Sequence, residues 1–176
     1  MKKKVKYNTP EPVQERKIDQ IFRMMDQRYV AGSLFFYFVN VALIFFGVMG
    51  LIWMIPFPQF DFLVAMEMHT FLNWGSFYIA IVIYLYLRMA PTLSYLILFA
   101  IGAMSFLIVQ LEYLERDGGP QVWLVSLVSV LAGLTGVYLN SRKESPVLSW
   151  KEMGTLITIG PIWCCSKVFK KFNMKY

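Results

Sequence analysis

The chain has 176 residues, of which 57% are hydrophobic and only 16% are charged. Because a typical soluble domain has about 25% charged residues, this composition excludes an ordinary soluble domain. The net charge of +6 does not indicate nucleic-acid binding, since the basic residues flank the apolar stretches and the aromatic residues lie mostly within them.

Four long stretches contain no Asp, Glu, Lys or Arg, namely 29–60, 70–87, 89–111 and 118–141. A bilayer core about 30 Å thick requires about 20 apolar residues in a helix, and each stretch meets or approaches that length. The sequence therefore predicts an all-α integral membrane protein. The four expected transmembrane helices cover about 31–55, 72–87, 92–111 and 121–139.

The N-terminal residues form two predicted segments. Residues 1–14 contain four lysines and two prolines, which favours a disordered basic arm. A secretory signal has a short basic region and then 7–15 apolar residues. Here about 30 mostly polar residues precede a longer apolar run, so we expect the first span to stay in the mature protein.

Residues 15–30 have the pattern of an amphipathic helix. The apolar residues at positions i, i+3, i+4, i+7 and i+11 are Ile18, Ile21, Phe22, Met25 and Tyr29. Basic and acidic residues lie mostly on the other side, as in helices that rest on an anionic membrane surface. The alternative is a helix that packs against the soluble domain of a partner.

Two connections between the spans are predicted to be tight. Arg88 and Pro91 leave almost no loop between the second and third spans, which must form an antiparallel hairpin. The loop 112–120 before the fourth span contains Asp117-Gly118-Gly119-Pro120, a strong turn signal.

The loop charges predict the orientation in the membrane. Eight Lys or Arg precede the first span, and none lies in the loop after it, which carries Asp61 and Glu67. The loop before the fourth span has only Arg116 among three carboxylates, and three basic residues follow that span before the last apolar run. The positive-inside rule then places both termini on the cytoplasmic side of a multi-pass protein.

The C-terminal segment, 140–176, holds a further apolar run at about 156–169. This run is shorter than a span, and crossing the bilayer would carry the four lysines near its end to the outside. Gly160 and Pro161 are expected to interrupt its helix. We therefore predict an interfacial or re-entrant segment followed by a basic tail.

Residues with catalytic or metal-binding chemistry are few. The only histidine is His69, so a multi-histidine metal site or a bis-histidine haem site cannot form within one chain. Met66, Met68 and His69 are possible copper ligands with Glu67 nearby, but an interfacial structural histidine is the favoured interpretation. No cofactor is predicted.

Other candidate residues have simple structural interpretations. The neighbouring carboxylates Glu112 and Glu115 fit a solvated loop better than an acid–base pair. Cys164 and Cys165 are adjacent, which disfavours a structural disulfide, and they are expected to be small apolar fillers. A position close to the membrane would also permit their acylation.

Small residues give two helix surfaces that permit close approach. One contains Gly102 and Ala103, and the other contains Gly133 and Gly136. These surfaces are expected either to pack within the bundle or to contact another membrane protein.

Several stretches resemble a small integral-membrane family that includes the 2-hydroxy-fatty-acid dioxygenases of fatty-acid α-oxidation. The stretches are KIDQIFRMMDQRY, GLIWMIP, LNWGSFYIAIVIYLYLRMAPTLS and SRKESPVLSWKEMGTLITIGPIW. The last is similar to the family's ending, a Pro, an acidic residue and Ile-Gly-Pro-x-Trp before a basic tail. The matching residues are Pro146, Glu152, Ile159, Gly160, Pro161 and Trp163.

The metal-binding motifs of that family are absent from this sequence. The resemblance implies iron-ligand histidines in an His-x-Asn-Pro-x-Asn-x-x-x-His pattern at the first span, but QRYVAGSLFFYFVN (27–40) has none. A second pattern, Gly-His with Glu three residues on, is replaced by Asn140-Ser141, although Glu144 is retained. The resemblance implies a shared fold in a divergent member without the metal-ligand histidines.

The sequence therefore favours a non-catalytic accessory or structural subunit of a larger membrane assembly, in contact with other integral membrane proteins and with lipids. The predicted contact residues are Ile18, Ile21, Phe22, Met25, Gly133, Gly136, Gly160, Pro161 and Trp163. One alternative is an iron-dependent dioxygenase of fatty-acid α-oxidation with a rearranged ligand set such as Glu144, Glu152 and His69. A second alternative is a lipid-binding protein of the membrane surface.

Overall fold

The computed structural model describes residues 16–58 and 72–174. Across these two ranges the chain forms six α-helices and no strand, which confirms the all-α class for this part of the protein. The helices are α1 (Lys17–Arg28), α2 (Leu34–Trp53), α3 (Trp74–Met89), α4 (Pro91–Arg116), α5 (Val122–Ser141) and α6 (Trp150–Lys171). The predicted arm 1–14 and most of the loop after the first span lie outside the described residues.

Three of the described helices, α2, α4 and α5, are long and apolar enough to cross a membrane. They indicate a membrane-embedded protein. The apolar helix α3 has 16 residues and is about 24 Å long at 1.5 Å per residue, less than the thickness of a bilayer core. The fourth crossing therefore stays a prediction.

Helix α4 is longer than predicted. The loop expected from residue 112 begins only at Asp117, because Glu112, Glu115 and Arg116 end the apolar stretch without ending the helix. Gly118 adopts a φ of +88°, a conformation that favours glycine. The turn signal thus marked the end of the helix better than the loss of hydrophobicity did.

Helices α2 and α5 form the most extensive helix pair among the described residues. They run antiparallel, because Gly133 of α5 lies against Asn40 and Ile44 near the start of α2, while Ser126 lies against Gly50 near its end. A Cβ on Gly133 would be 2.7 Å from the Asn40 carbonyl oxygen. Glycine therefore permits this backbone approach.

The connection between α3 and α4 consists of Ala90 alone, with Pro91 at the first helical position. Proline is well suited to this position because the first helical N–H groups have no partner within the helix. The very short connection predicted from Arg88 and Pro91 is confirmed.

Helix α6 is continuous, so the interruption expected at Gly160 and Pro161 is wrong. The Tyr86 hydroxyl of α3 donates to the Thr158 carbonyl over 2.7 Å. This carbonyl lies three residues before Pro161 and is adjacent to the Ile157 carbonyl, the one that loses its backbone donor to the proline. The bond therefore ties α6 to α3 close to the proline. The segment 150–171 shows no re-entrant reversal, and its interfacial position stays a prediction.

The predicted amphipathic helix is present as α1, but its apolar face is internal. Ile18, Phe22 and Met25 are at most 5% exposed, and Ile21 is half-buried. The three buried residues therefore contact the rest of the chain, whereas the sequence predicted contacts with lipid or a partner.

Candidate functional site

Polar side chains collect where α2 begins and α5 ends, a region that we call the polar end. The Asn140 side chain there accepts from the Ser33 backbone N–H over 3.3 Å and donates to the Ser33 carbonyl over 3.2 Å. Asn140 occupies the last turn of α5, and Ser33 immediately precedes α2. This two-way contact joins the two helices at their ends.

Glu144 is the buried carboxylate of the polar end, with 4% exposure. Its oxygens accept hydrogen bonds from the backbone N–H groups of Ala31 at 3.1 Å and Gly32 at 2.8 Å. The Tyr37 hydroxyl donates a third bond over 3.3 Å. Buried carboxylates require such donors. Glu144 therefore holds the α1–α2 connection against the end of α5.

Glu152 connects the first turn of α6 to α1. Its carboxylate accepts from Arg28 Nε over 2.6 Å and from the Ser149 backbone N–H over 2.7 Å. The Ser149 hydroxyl in turn accepts from the Glu152 N–H, which completes a capping box. The hydrogen bond from Arg28 is the main reason why the pKa of Glu152 is lowered to about 2.

Asp26 connects α1 to the second half of α6. The Trp163 indole N–H donates to it over 2.6 Å, and Lys167 and Lys170 form ion pairs with the same carboxylate. Partial burial alone would raise the pKa of Asp26, but the hydrogen bonds and charges of these neighbours lower it overall. Asp26 thus supplies the hydrogen-bond acceptor that the indole N–H of a buried tryptophan requires.

Two aromatic contacts reinforce these connections. The Tyr29 and Trp163 ring centroids are 5.7 Å apart, and those of Tyr29 and Tyr37 are 5.2 Å apart. The Tyr29 hydroxyl donates to the Glu152 carbonyl over 3.0 Å. Burial is the main reason why the pKa of Tyr29 is raised to about 12. Tyr29 thus lies between α6 and the start of α2 as a neutral hydrogen-bond donor.

No group of three or more His, Cys, Asp or Glu that could hold a metal ion occurs in the described part of the chain. Glu144 and Glu152, two members of the rearranged ligand set, accept the structural hydrogen bonds described above. The third, His69, lies outside the described residues, as do Met66 and Met68 of the copper alternative.

The other predicted contact residues also lie mostly inside the protein. Gly133 is buried and Gly136 is half-buried, and a Cβ on Gly136 would clash with the Asn40 side chain. Gly160 is buried near Val41, and Trp163 is 1% exposed. Of the two interpretations of the Gly133–Gly136 surface, the structure places it within the bundle.

Four further candidate residues from the sequence have structural roles within the chain. Cys164 and Cys165 are free and buried, which fits small apolar fillers and leaves no exposed thiol for acylation. Pro161 is half-buried beside them. Glu115 accepts a hydrogen bond from the Val122 N–H over 3.0 Å and so caps the start of α5.

The importance of Asp26, Arg28, Tyr37 and Asn140 was not predicted from the sequence. Their partners in the cluster lie more than 100 positions away, so local periodicity contains no signal for them. One signal was available: Ser149 and Glu152 have the spacing of a capping box.

The fold and this cluster define a membrane-embedded helical protein with a hydrogen-bonded polar end. Compared with protein-family models, curated proteins and solved structures, the chain gives no match. The resemblance to the dioxygenase family therefore stays a prediction.

Proposed function

We propose that this protein is a non-catalytic accessory or structural subunit of a larger membrane assembly. The observation that carries the proposal is the use of the three carboxylates Asp26, Glu144 and Glu152, each of which joins separate helices through hydrogen bonds. A catalytic or metal-binding carboxylate must offer an oxygen to substrate or metal. Here the oxygens accept hydrogen bonds from neighbouring groups of the same chain.

The family resemblance supports this proposal. In the resembled family, the stretches that correspond to 27–40 and 140–144 supply the iron ligands. In this protein the same two stretches lie together at the polar end, where Tyr37 and Asn140 form hydrogen bonds. A scaffold that has lost its metal ligands and replaced them with stabilising bonds would have this arrangement.

The outward face of α4 is the surface that we propose for a protein partner. Tyr95, Phe99 and Phe106 are 67%, 76% and 61% exposed, and they recur at helical spacing around Gly102. A Cβ on Gly102 would have nothing within 4 Å. Large aromatic side chains beside a glycine offer ridges and a hollow to a neighbouring helix. This face takes the place of Gly133 and Gly136 as the candidate interface.

The test is purification from the native membrane in mild detergent, followed by native mass spectrometry. We expect a stoichiometric complex, which Gly102→Leu dissociates and Gly154→Leu leaves intact. Gly154 is the matched control, since a Cβ there also has nothing within 4 Å. A free chain that carries iron would refute the subunit proposal. An intact complex with Gly102→Leu would refute only the choice of the α4 face.

We also propose that α3 is a fourth span and that the polar end faces the cytoplasm together with both termini. The basic flanks support this orientation. The variants Lys143→Cys and Asp117→Cys, each made in a chain with both native cysteines replaced by Ala, are treated from the outside with a membrane-impermeant maleimide. Both positions are exposed. Labelling of Asp117→Cys but not of Lys143→Cys is expected, and the reverse pattern would overturn the orientation.

A further inference from the structure

A groove of about 440 Å³ lies between the second half of α1 and the first turns of α6. Ile21, Met24 and Met25 provide its apolar side, while Arg28 and Lys151 bring positive charge to it. The volume lies within the range of about 300–1,000 Å³ that is typical of small-molecule sites. The groove thus combines an apolar surface with cationic groups.

The charges of the groove are only partly balanced. Glu152 is held by Arg28 and by the Ser149 N–H, whereas the exposed Lys151 ammonium has no hydrogen-bond or ion-pair partner among residues 16–58 and 72–174. Arg28 uses Nε and Nη2 for its bonds. Within the same described ranges, Nη1 remains available for another acceptor. Lys151 also lies in the first turn of α6, where the helix dipole favours an anion.

The location of the groove favours an amphiphilic ligand over a free anion. Only five residues separate the end of α1 from the start of α2. The groove therefore lies beside the polar end of the helices that are apolar enough to cross a membrane. Charged groups next to apolar surface at such a boundary suit a lipid headgroup and the beginning of its acyl chain. The flexible and exposed Met24 side chain can adapt to an acyl chain.

We propose that this groove binds an anionic phospholipid, with the phosphate at Lys151 and Arg28 and an acyl chain along Ile21 and Met24. Charge complementarity favours an anionic over a zwitterionic lipid, because the lining of the groove contains two cations and one carboxylate. The apolar side distinguishes a lipid from inorganic phosphate. This proposal does not depend on the subunit role.

The headgroup contact is tested with the full chain in a neutral detergent. Binding of dioctanoyl phosphatidic acid, dioctanoyl phosphatidylcholine and inorganic phosphate is measured by calorimetry. We expect phosphatidic acid to bind at least about fivefold more tightly than either other probe. Lys151→Gln should weaken the binding of phosphatidic acid by about threefold or more. Lys143→Gln removes the same charge from an exposed position outside the groove and should have no effect.

The acyl-chain contact is tested with Met24→Trp, which fills the groove from a position that is 59% exposed and therefore tolerates a larger side chain. We expect this variant to lose phosphatidic acid binding while its thermal stability is unchanged. Gln20→Trp, on an exposed position of α1 outside the groove, is the control. Equal binding by Met24→Trp and the parent, equal effects of the two lysine variants, or equal affinity for inorganic phosphate would each overturn the proposal.

Discussion

The indole N–H of Trp163 donates to the Asp26 carboxylate over 2.6 Å and thereby joins α6 to α1. Trp163 itself is 1% exposed. The bond explains how α1, which has charged residues along one side, is held against an apolar bundle. It also identifies α6 as an integral part of the fold, although its sequence resembles a surface segment.

Trp163→Phe tests this connection, because it removes the N–H donor and keeps an aromatic ring. We expect a loss of about 1–3 kcal/mol in stability, from the missing hydrogen bond to a charged acceptor and the lost ring volume. The measurement is the thermal unfolding midpoint in detergent. Trp150→Phe is the control, since Trp150 is 85% exposed, and equal midpoints for the two variants would contradict the prediction.

Glu144→Gln should destabilise the polar end by about 1–3 kcal/mol. The amide oxygen can accept from only one of the Ala31 and Gly32 N–H groups, and the NH2 group then faces the other N–H without an acceptor. Denaturant unfolding followed by tryptophan fluorescence measures the change. Glu112→Gln removes an equal charge from a carboxylate with no hydrogen-bond partner among the described residues, and it should leave the midpoint unchanged. A stable Glu144→Gln variant would show that these backbone bonds contribute little.

The ion pair between Arg28 and Glu152 predicts a dependence on pH. Because the pKa of Glu152 is lowered from 4.5 to about 2, its contribution to stability is complete above pH 4.5. The contribution is lost as the pH falls from there toward 2. The difference in unfolding midpoint between the parent and Glu152→Gln should therefore be largest above pH 4.5 and shrink below it. A difference that is constant from pH 6 to pH 3 would refute this assignment.

Gly133→Ala should destabilise the α2–α5 pair, because the new Cβ would be 2.7 Å from the Asn40 carbonyl oxygen. Overpacking of this kind costs about 1–3 kcal/mol. Gly102→Ala is the matched control, since its Cβ would have nothing within 4 Å, and alanine has the better helix propensity. Thermal unfolding should separate the two variants, and similar midpoints would mean that α2 and α5 can move apart without cost.

Apolar periodicity and turn chemistry predicted much of the secondary structure. The charge-free stretches located α2 to α5, and the amphipathic repeat located α1, because both signals arise from residues that are close in sequence. Pro161 was misleading because the helix break that it favours locally is outweighed by the packing of α6 against α2 and α4, residues that are distant in sequence.

Which surfaces are internal was decided by the tertiary structure. The sequence by itself determined the membrane-embedded class, the scarcity of histidine and the approximate helices, since composition and period are local properties. Only the fold decided that Ile18, Phe22 and Gly133 face inward. Only the fold brought Glu144 to Gly32 and Glu152 to Arg28, because these partners are more than 100 positions away and spatial proximity between distant segments has no local signature.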